Sequence, residues 1–404
     1  MAPAYARPVF NGRIRSAGLA GMVVLALGAA GGTAATHATA GRYAAATPIR
    51  VLVPAVQDGE FKTHNKLIAH GASVAAAQIN GRTGSAPRFR IELVRVPFRL
   101  GADPRSLVRS AARRHVRIVL LPCNVDSEQA WAAAAASAGD LALSPCTPEP
   151  RALARFPMAW PTAMTGNAQA GQLAWYITSH QPKGTSAFLV SSRDSGYSGA
   201  LARYLRRAAR LNGVRIAGSV RVRPDHLDVP AIARSLARSH AHAIMMAAPP
   251  STGWALIRGL RRRGVIWPVY ATDALDARPD LRDPDRLVKN VMFTSYGFAR
   301  PDARAFQQRY RKLYRRLPAG SFPGLGYEAV RVLGAAAERA GSVDPRTIDA
   351  VLRRGLTVHG IALGDVVFPG HGRRAVVTDV GIATVVRGQY KPLFAGIPFR
   401  APAP

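Results

Sequence analysis

VRIVLLPCNVDSEQAWAAAAASAGDLALSPCT, residues 116–147, reads as strand, loop, helix, strand, loop. The apolar run at 117–121 is short and β-branched, the alanine-rich stretch at 127–138 is long enough for three turns of helix, and 141–144 is again a short apolar run. A strand returning to a parallel neighbour through a helix is a βαβ unit, which places both strands in a sheet covered by helices. The loops Pro122–Ser127 and Ser144–Thr147 then leave the same edge of that sheet.

The alternation extends in both directions. Further strands are expected at 49–56, 89–96, 186–191, 215–222, 243–247 and 268–271, and further helices at 67–80, 105–115, 167–180, 198–212, 230–240 and 253–263. Asn80-Gly81 and Asn212-Gly213 stand where a helix stop is needed. The pattern breaks at Pro145, Pro148, Pro150, Pro157 and Pro161, and again in a proline- and aspartate-rich stretch at 276–285. After the second break come a strand at 291–295, helices at 301–316, 326–340 and 345–353, and strands at 365–368 and 382–386. A chain of 404 residues exceeds the roughly 100–200 residues of one domain. The reading is α/β: two Rossmann-like lobes with parallel central sheets joined by a multi-strand hinge. One lobe is expected at 48–160 plus about 292–340, the other at about 161–291 plus about 341–395. Such a hinge permits closure.

The N-terminus carries export grammar. Arg7, Arg13 and Arg15 precede a small apolar run through Met22, Val23, Val24, Leu25 and Leu27, followed by Ala38-Thr39-Ala40. A secretory signal over residues 1–40 is the expectation, with a retained anchor as the alternative. The apolar core falls short of the ~20 residues of a spanning helix. No cysteine lies near the expected cut, which argues against a lipid anchor.

Formal net charge is +32. Such a balance raises the question of nucleic acid, but Arg203, Arg206, Arg207 and Arg210, and Arg258, Arg261, Arg262 and Arg263, lie along helices without interleaved aromatics. They read as a solvated basic surface, and no nucleic-acid partner is expected. The two cysteines, Cys123 and Cys146, lack metal-ligand spacing, and the ten histidines are scattered. No G-x-S-x-G, P-loop, H-E-x-x-H or strand-linked G-x-G-x-x-G occurs. The chain therefore reads as a non-enzyme, with no cofactor or metal.

Seven stretches in order carry a resemblance: His70-Gly71-Ala72 through Gln78-Ile79-Asn80-Gly81, the loops 119–126 and 141–147, DSGYSGA at 194–200, 264–273, 306–314 with Gly326-Tyr327-Glu328-Ala329, and Gly388-Gln389-Tyr390. Together they resemble the type I periplasmic binding proteins, in particular the leucine/isoleucine/valine-binding, branched-chain amino-acid and amide group of ABC transporters. The resemblance implies an extracytoplasmic, monomeric receptor for an amino-acid-like or amide solute, with ABC permease subunits as partners. A ligand sensor of the same fold is the alternative.

The resemblance also implies a site. A carboxylate needs aimed N–H and O–H donors, and Asn124, the backbone of Val125, Ser127, Ser144 and Thr147 supply them on one rim. Asn124 and Ser127 equally suit a helix cap. On the other rim, Tyr197 matches a ligand-facing tyrosine, with an exposed loop tyrosine as the alternative, and Asp273 matches the acid that takes the ammonium, with a turn or cap residue as the alternative. Pro249 stands where the amino-acid binders often carry an aromatic, a departure that bears on branched-chain specificity. Family members often pair the cysteine at the position of Cys123 with one after the second strand, but 97–103 has none. Cys123 and Cys146 instead end neighbouring strands expected about 4.8 Å apart, close enough for a disulfide.

Overall fold

The computed structural model describes residues 46–81, 88–193, 195–276, 285–296, 301–318, 320–360, 364–371, 376–387, 389–398 and 400–404. The expected signal segment, Asp194 and Gly388 lie outside them, as does most of the stretch 276–285. β1 (Thr47–Val56), β2 (Phe89–Phe98), β3 (Ile118–Leu120), β4 (Leu141–Ser144) and β5 (Ala159–Pro161) form a sheet of order β2-β1-β3-β4-β5, parallel throughout. Its connecting helices are α1 (Lys62–Asn80), α2 (Arg105–Ala112), α3 (Val125–Ala138) and α4 (Pro150–Ala154).

The second sheet takes β6 (Ser186–Ser192), β7 (Arg215–Val222), β8 (Ala243–Ala247), β9 (Val269–Ala271), β10 (Val291–Ser295), β13 (Val380–Val386) and β14 (Gln389–Gly396). Its order is β14-β13-β10-β9-β8-β6-β7, with β13 and β14 antiparallel to their neighbours. A hairpin of β11 (Leu356–His359) and β12 (Asp365–Phe368) stands apart. The remaining helices are α5 (Gly166–His180), α6 (Gly196–Asn212), α7 (Val229–Ser239), α8 (Pro250–Arg262), α9 (Asp285–Val288), α10 (Pro301–Tyr314), α11 (Phe322–Ala340) and α12 (Pro345–Arg354).

The inner strands β3, β4, β6, β8 and β9 are buried on both faces and are apolar runs rather than alternations, whereas the edge strands β2 and β7 are partly exposed and carry charged residues. In β1, Leu52 packs with Val119, Ala142 and Trp131 on one face, while Val51 and Val53 pack with Leu120, Leu143 and the residues of α1 and α11 on the other. The α1–α11 contact is close: a Cβ on Gly71 would lie 1.6 Å from the Pro323 carbonyl oxygen, and one on Gly326 1.9 Å from that of Ile68. Only glycine lets two backbones approach so nearly.

The chain crosses between the sheets after β5, after β10 and after β12, and Val367 and Val377 bridge in the last crossing. Several expectations shift. The segment Val291–Ser295, expected to return to the first lobe, pairs with β9 and β13, because Val291 and Phe293 are fully buried in the second core. The segment Pro345–Arg354 and the hairpin, expected in the second lobe, bury Ile348, Val351, Leu352, Val358 and Phe368 in the first core. β5, β11 and β14 were not expected as strands. α1 begins five residues before the expected 67, and α11 four before the expected 326.

Candidate functional site

Strand order reverses about β1 and β3 in the first sheet, and about β6 and β8 in the second, so loops at the carboxyl ends of these strands flank the crevices where open α/β sheets take ligands. From the first sheet come Phe61, His64 and Asn65 around the start of α1, Cys123 and Asn124 after β3, and Ser144, Cys146 and Thr147 at and after β4. From the second come Tyr197 in the first turn of α6, Asp273 in a single 3₁₀ turn after β9, and Tyr296 after β10.

Asn124 has an extended backbone and caps α3: its Oδ1 accepts the Ser127 N–H at 3.1 Å. The capping role expected of Asn124 is therefore filled by its side chain. Ser127 is buried, and its Oγ has no hydrogen-bond partner among the described residues. Val125 packs with Phe61 and Tyr197, whose rings are 5.5 Å apart between centroids, so residues of both sheets share one apolar cluster. Asp126 lies against Gly196, where an added Cβ would sit 3.1 Å from Asp126 Oδ1. The N-terminal turns of α3 and α6 thus face each other.

Cys123 and Cys146 are disulfide-bonded with their Cα atoms 5.2 Å apart, which ties the loop after β3 to the loop after β4. Asn65, missed in the sequence, anchors the same loop from α1: it accepts the Cys123 N–H at 2.8 Å and donates to the Phe61 and Cys123 carbonyls. Ser144 and Thr147 are fully buried and hydrogen-bonded to each other at 2.7 Å and to Glu128 behind them. Glu128 was also missed. Burial pushes its carboxyl up to about 8, against the opposing hydrogen bonds from Ser144 and Thr147.

On the second rim, the Tyr197 hydroxyl donates to Asp273 Oδ1 at 2.7 Å and accepts the Ala274 N–H at 3.0 Å, with Thr272 Oγ1 2.7 Å away. The Tyr296 hydroxyl donates to Asp273 Oδ2 at 3.0 Å. Gln169 Oε1 accepts the Asp273 N–H at 3.3 Å and the Thr294 hydroxyl at 2.8 Å. Asp273 is 1% exposed, and burial raises its carboxyl above the usual range. Among the described residues its side-chain partners are neutral hydroxyls and an amide, with no basic group. Nearby Asp276, bonded to Ser321, is pushed up to about 7 by burial. His64 packs edge-on against Phe322 with ring centroids 4.1 Å apart, and burial lowers it to about 4, so it is neutral. The sequence places Tyr197 and Asp273 together, and the fold adds Tyr296 from a different strand.

Three polar contacts also join the rims outside this cluster. Glu60 accepts the Ser251 hydroxyl, and Glu149 pairs with Arg203 at 2.5 Å while accepting the Tyr204 hydroxyl at 2.6 Å. Among the described residues no helix is long and apolar enough to cross a membrane, and no cluster of His, Cys, Asp or Glu has metal-binding geometry.

The fold is shared with solved structures. A leucine binding protein LivK from Thermotoga maritima MSB8 superposes with TM-score 0.73 at 18% identity, covering 87% of this chain and 99% of its own. LivJ from Streptococcus pneumoniae, in complex with isoleucine, gives 0.74 at 18%, covering 87% and 99%. A solute binding protein of an ABC transporter from R. palustris, in complex with 4-hydroxybenzoate, gives 0.73 at 15%, covering 87% and 97%. A comparison with curated proteins gives no significant match. The model of the periplasmic binding protein family matches residues 48–389, nearly the whole described chain. With that match over two sheets built as the motifs implied, the chain belongs to the periplasmic binding protein family, a family of binding proteins rather than enzymes.

Proposed function

We propose that the chain is the extracytoplasmic substrate-binding component of an ABC importer, and that it closes on a small amino-acid-like or amide solute. The observation that carries this reading is Asp273: a buried carboxylate held by Tyr197 and Tyr296, with no basic side chain on it among the described residues. Burial of an acid beside neutral donors is costly unless a cation completes it. A solute ammonium would do so. The N–H groups at the start of α3, with the Ser127, Ser144 and Thr147 hydroxyls, suit the solute's carboxylate or amide.

In this reading residues 1–40 direct export, the two sheets with their helices are the lobes, and a single copy delivers its solute to the permease subunits. A ligand shifts the open–closed balance only by touching both rims in the closed state. The rings of Phe61, His64, Tyr296 and Phe322 favour a second reading, an aromatic acid, as in the 4-hydroxybenzoate complex of the R. palustris protein. A thermal-shift screen across amino acids, amides, urea and hydroxybenzoates separates the two. A solute at 100 times its Kd stabilises the protein by about 2.7 kcal/mol. Stabilisation by hydroxybenzoates alone would overturn the amino-acid reading, and stabilisation by none of these classes would overturn both.

A further inference from the structure

Glu128 lies in the first turn of α3, 2% exposed, one layer behind Ser144 and Thr147. Ser144 Oγ makes a short hydrogen bond to Glu128 Oε1, Thr147 Oγ1 is 3.3 Å from the same oxygen, and the two hydroxyl oxygens are 2.7 Å apart. Each hydroxyl has one hydrogen, and an ionised carboxylate can only accept. The triad therefore has two polarities. With Glu128 ionised, the Ser144 and Thr147 hydrogens both turn inward, leaving lone pairs for anything beyond. With Glu128 protonated, its O–H donates to Ser144, Ser144 donates to Thr147, and the Thr147 hydrogen is released from the relay.

We propose that Glu128 is a positioning residue that sets the polarity of this rim: it lets Thr147 donate to an anionic ligand group while it holds its proton, and turns the rim into an acceptor when it ionises. The inference rests on the reading of Ser144 and Thr147 as ligand-facing. It goes beyond that reading in naming what orients them.

The surroundings agree. Glu149, at the start of α4, is the charged group that acts on Glu128, and it favours the protonated form. Of the neighbouring charges, Arg203 is paired with Glu149 and Arg155 is bonded to Gln129, while the Asp126 carboxylate faces Gly196 of α6. With the carboxyl pushed up to about 8, the donor polarity prevails at neutral pH and fades above it. An ionised acid behind the rim would also repel a ligand carboxylate.

The test compares wild type with Glu128→Gln, which keeps the shape without the titration, and with Ser144→Ala, which keeps the acid and its direct contact with Thr147 but removes the Ser144 link. Without ligand, the infrared difference between wild type and Glu128→Gln is expected to show a protonated-carboxyl band at pH 6.5 that is lost on titration through about 8. Absence of the band at pH 6.5 overturns the proposal. With L-isoleucine and 4-hydroxybenzoate as calorimetric probes, wild-type affinity for the probe that binds is expected to fall about tenfold by pH 9, in proportion to the protonated fraction. Glu128→Gln should show no such fall, while Ser144→Ala should keep part of it through the direct Thr147–Glu128 contact and the charge of the ionised acid. A fall in Glu128→Gln equal to that of wild type, or none in wild type, overturns the proposal. If neither probe binds any of them, the proposed ligand classes fail, and the infrared titration still decides whether Glu128 holds the proton.

Discussion

Asn65 and Cys123 hold each other through both ends of one amide: Oδ1 accepts the Cys123 N–H at 2.8 Å, and Nδ2 donates to the Cys123 carbonyl at 3.3 Å. The residue is 5% exposed, so the loop after β3 is fixed from α1 by a buried amide. Asn65→Ala is expected to destabilise by ~1–3 kcal/mol, because it strands buried backbone groups. Urea denaturation measures it. A loss below a few tenths of a kcal/mol would mean the loop finds other partners.

Asp273→Ala is expected to weaken binding of an ammonium-bearing solute by ~2–5 kcal/mol, much of it from leaving the ligand charge buried and unpaired. Thr147→Ala is expected to cost less, ~0.5–1.5 kcal/mol for one neutral hydrogen bond, or up to ~3 with a charged ligand group. Calorimetry with the solute found by the screen checks the order of the two. Wild-type affinity in Asp273→Ala would move the reading to an anionic or neutral solute.

The pH dependence of stability has a definite sign. Asp276 is fully buried and raised to about 7, so its folded form prefers the proton more than the unfolded chain does. Its contribution is fully present below the usual aspartate range near 4 and is lost as pH rises to about 7, on the order of 4 kcal/mol. Asp273 acts in the same direction. Asp276→Asn should therefore flatten the fall in thermal stability between pH 4 and 7, as followed by circular dichroism. An unchanged slope would show that Asp276 is not the group responsible.

Cys123 and Cys146 close a loop with a sequence separation of 23, for which the chain-entropy treatment gives roughly 3 kcal/mol. The Cys123→Ser, Cys146→Ser double variant should lose about this much stability. It should also lose solute affinity, since the bond joins the two loops of one rim. Unfolded, unreduced protein from the exported fraction should not react with an alkylating reagent at either cysteine. Reaction at both would remove the bond from the account.

N-terminal sequencing of the exported protein should begin near Gly41, as the Ala38-Thr39-Ala40 segment implies. Retention of residues 1–40 would mean that the segment serves as an anchor.

Much of this was legible in local pattern. Strands buried on both faces are short apolar runs, and the expected bounds 141–144 and 243–247 match the structure to the residue; the edge strand 215–222 is partly exposed, and its bounds match through its β-branched pattern. β5 was not legible, because Ala159–Pro161 is three residues ending in proline, a weak strand signal set by its neighbour. The assignment of Val291–Ser295 failed for a related reason: a buried strand carries no mark of which sheet it joins. In the candidate site, motif position points to Tyr197 and Asp273, which the fold brings into contact. It does not point to Asn65, Glu128 and Tyr296, since each acts through a partner far away in sequence, and Glu128 in a first helical turn looks like an ordinary charge favoured by the helix dipole.

The glycine crossing of α1 and α11 limits how this molecule can deform. With Gly71 against Pro323 and Gly326 against Ile68, the two helices are keyed backbone to backbone, and neither can slide or roll past the other without collision. Any shape change must therefore carry the first sheet, α1 and α11 as one rigid block and concentrate torsion in the short segments that leave it. Gly71→Ala would break that key and spread strain through the block itself, so that bending would cease to be localised.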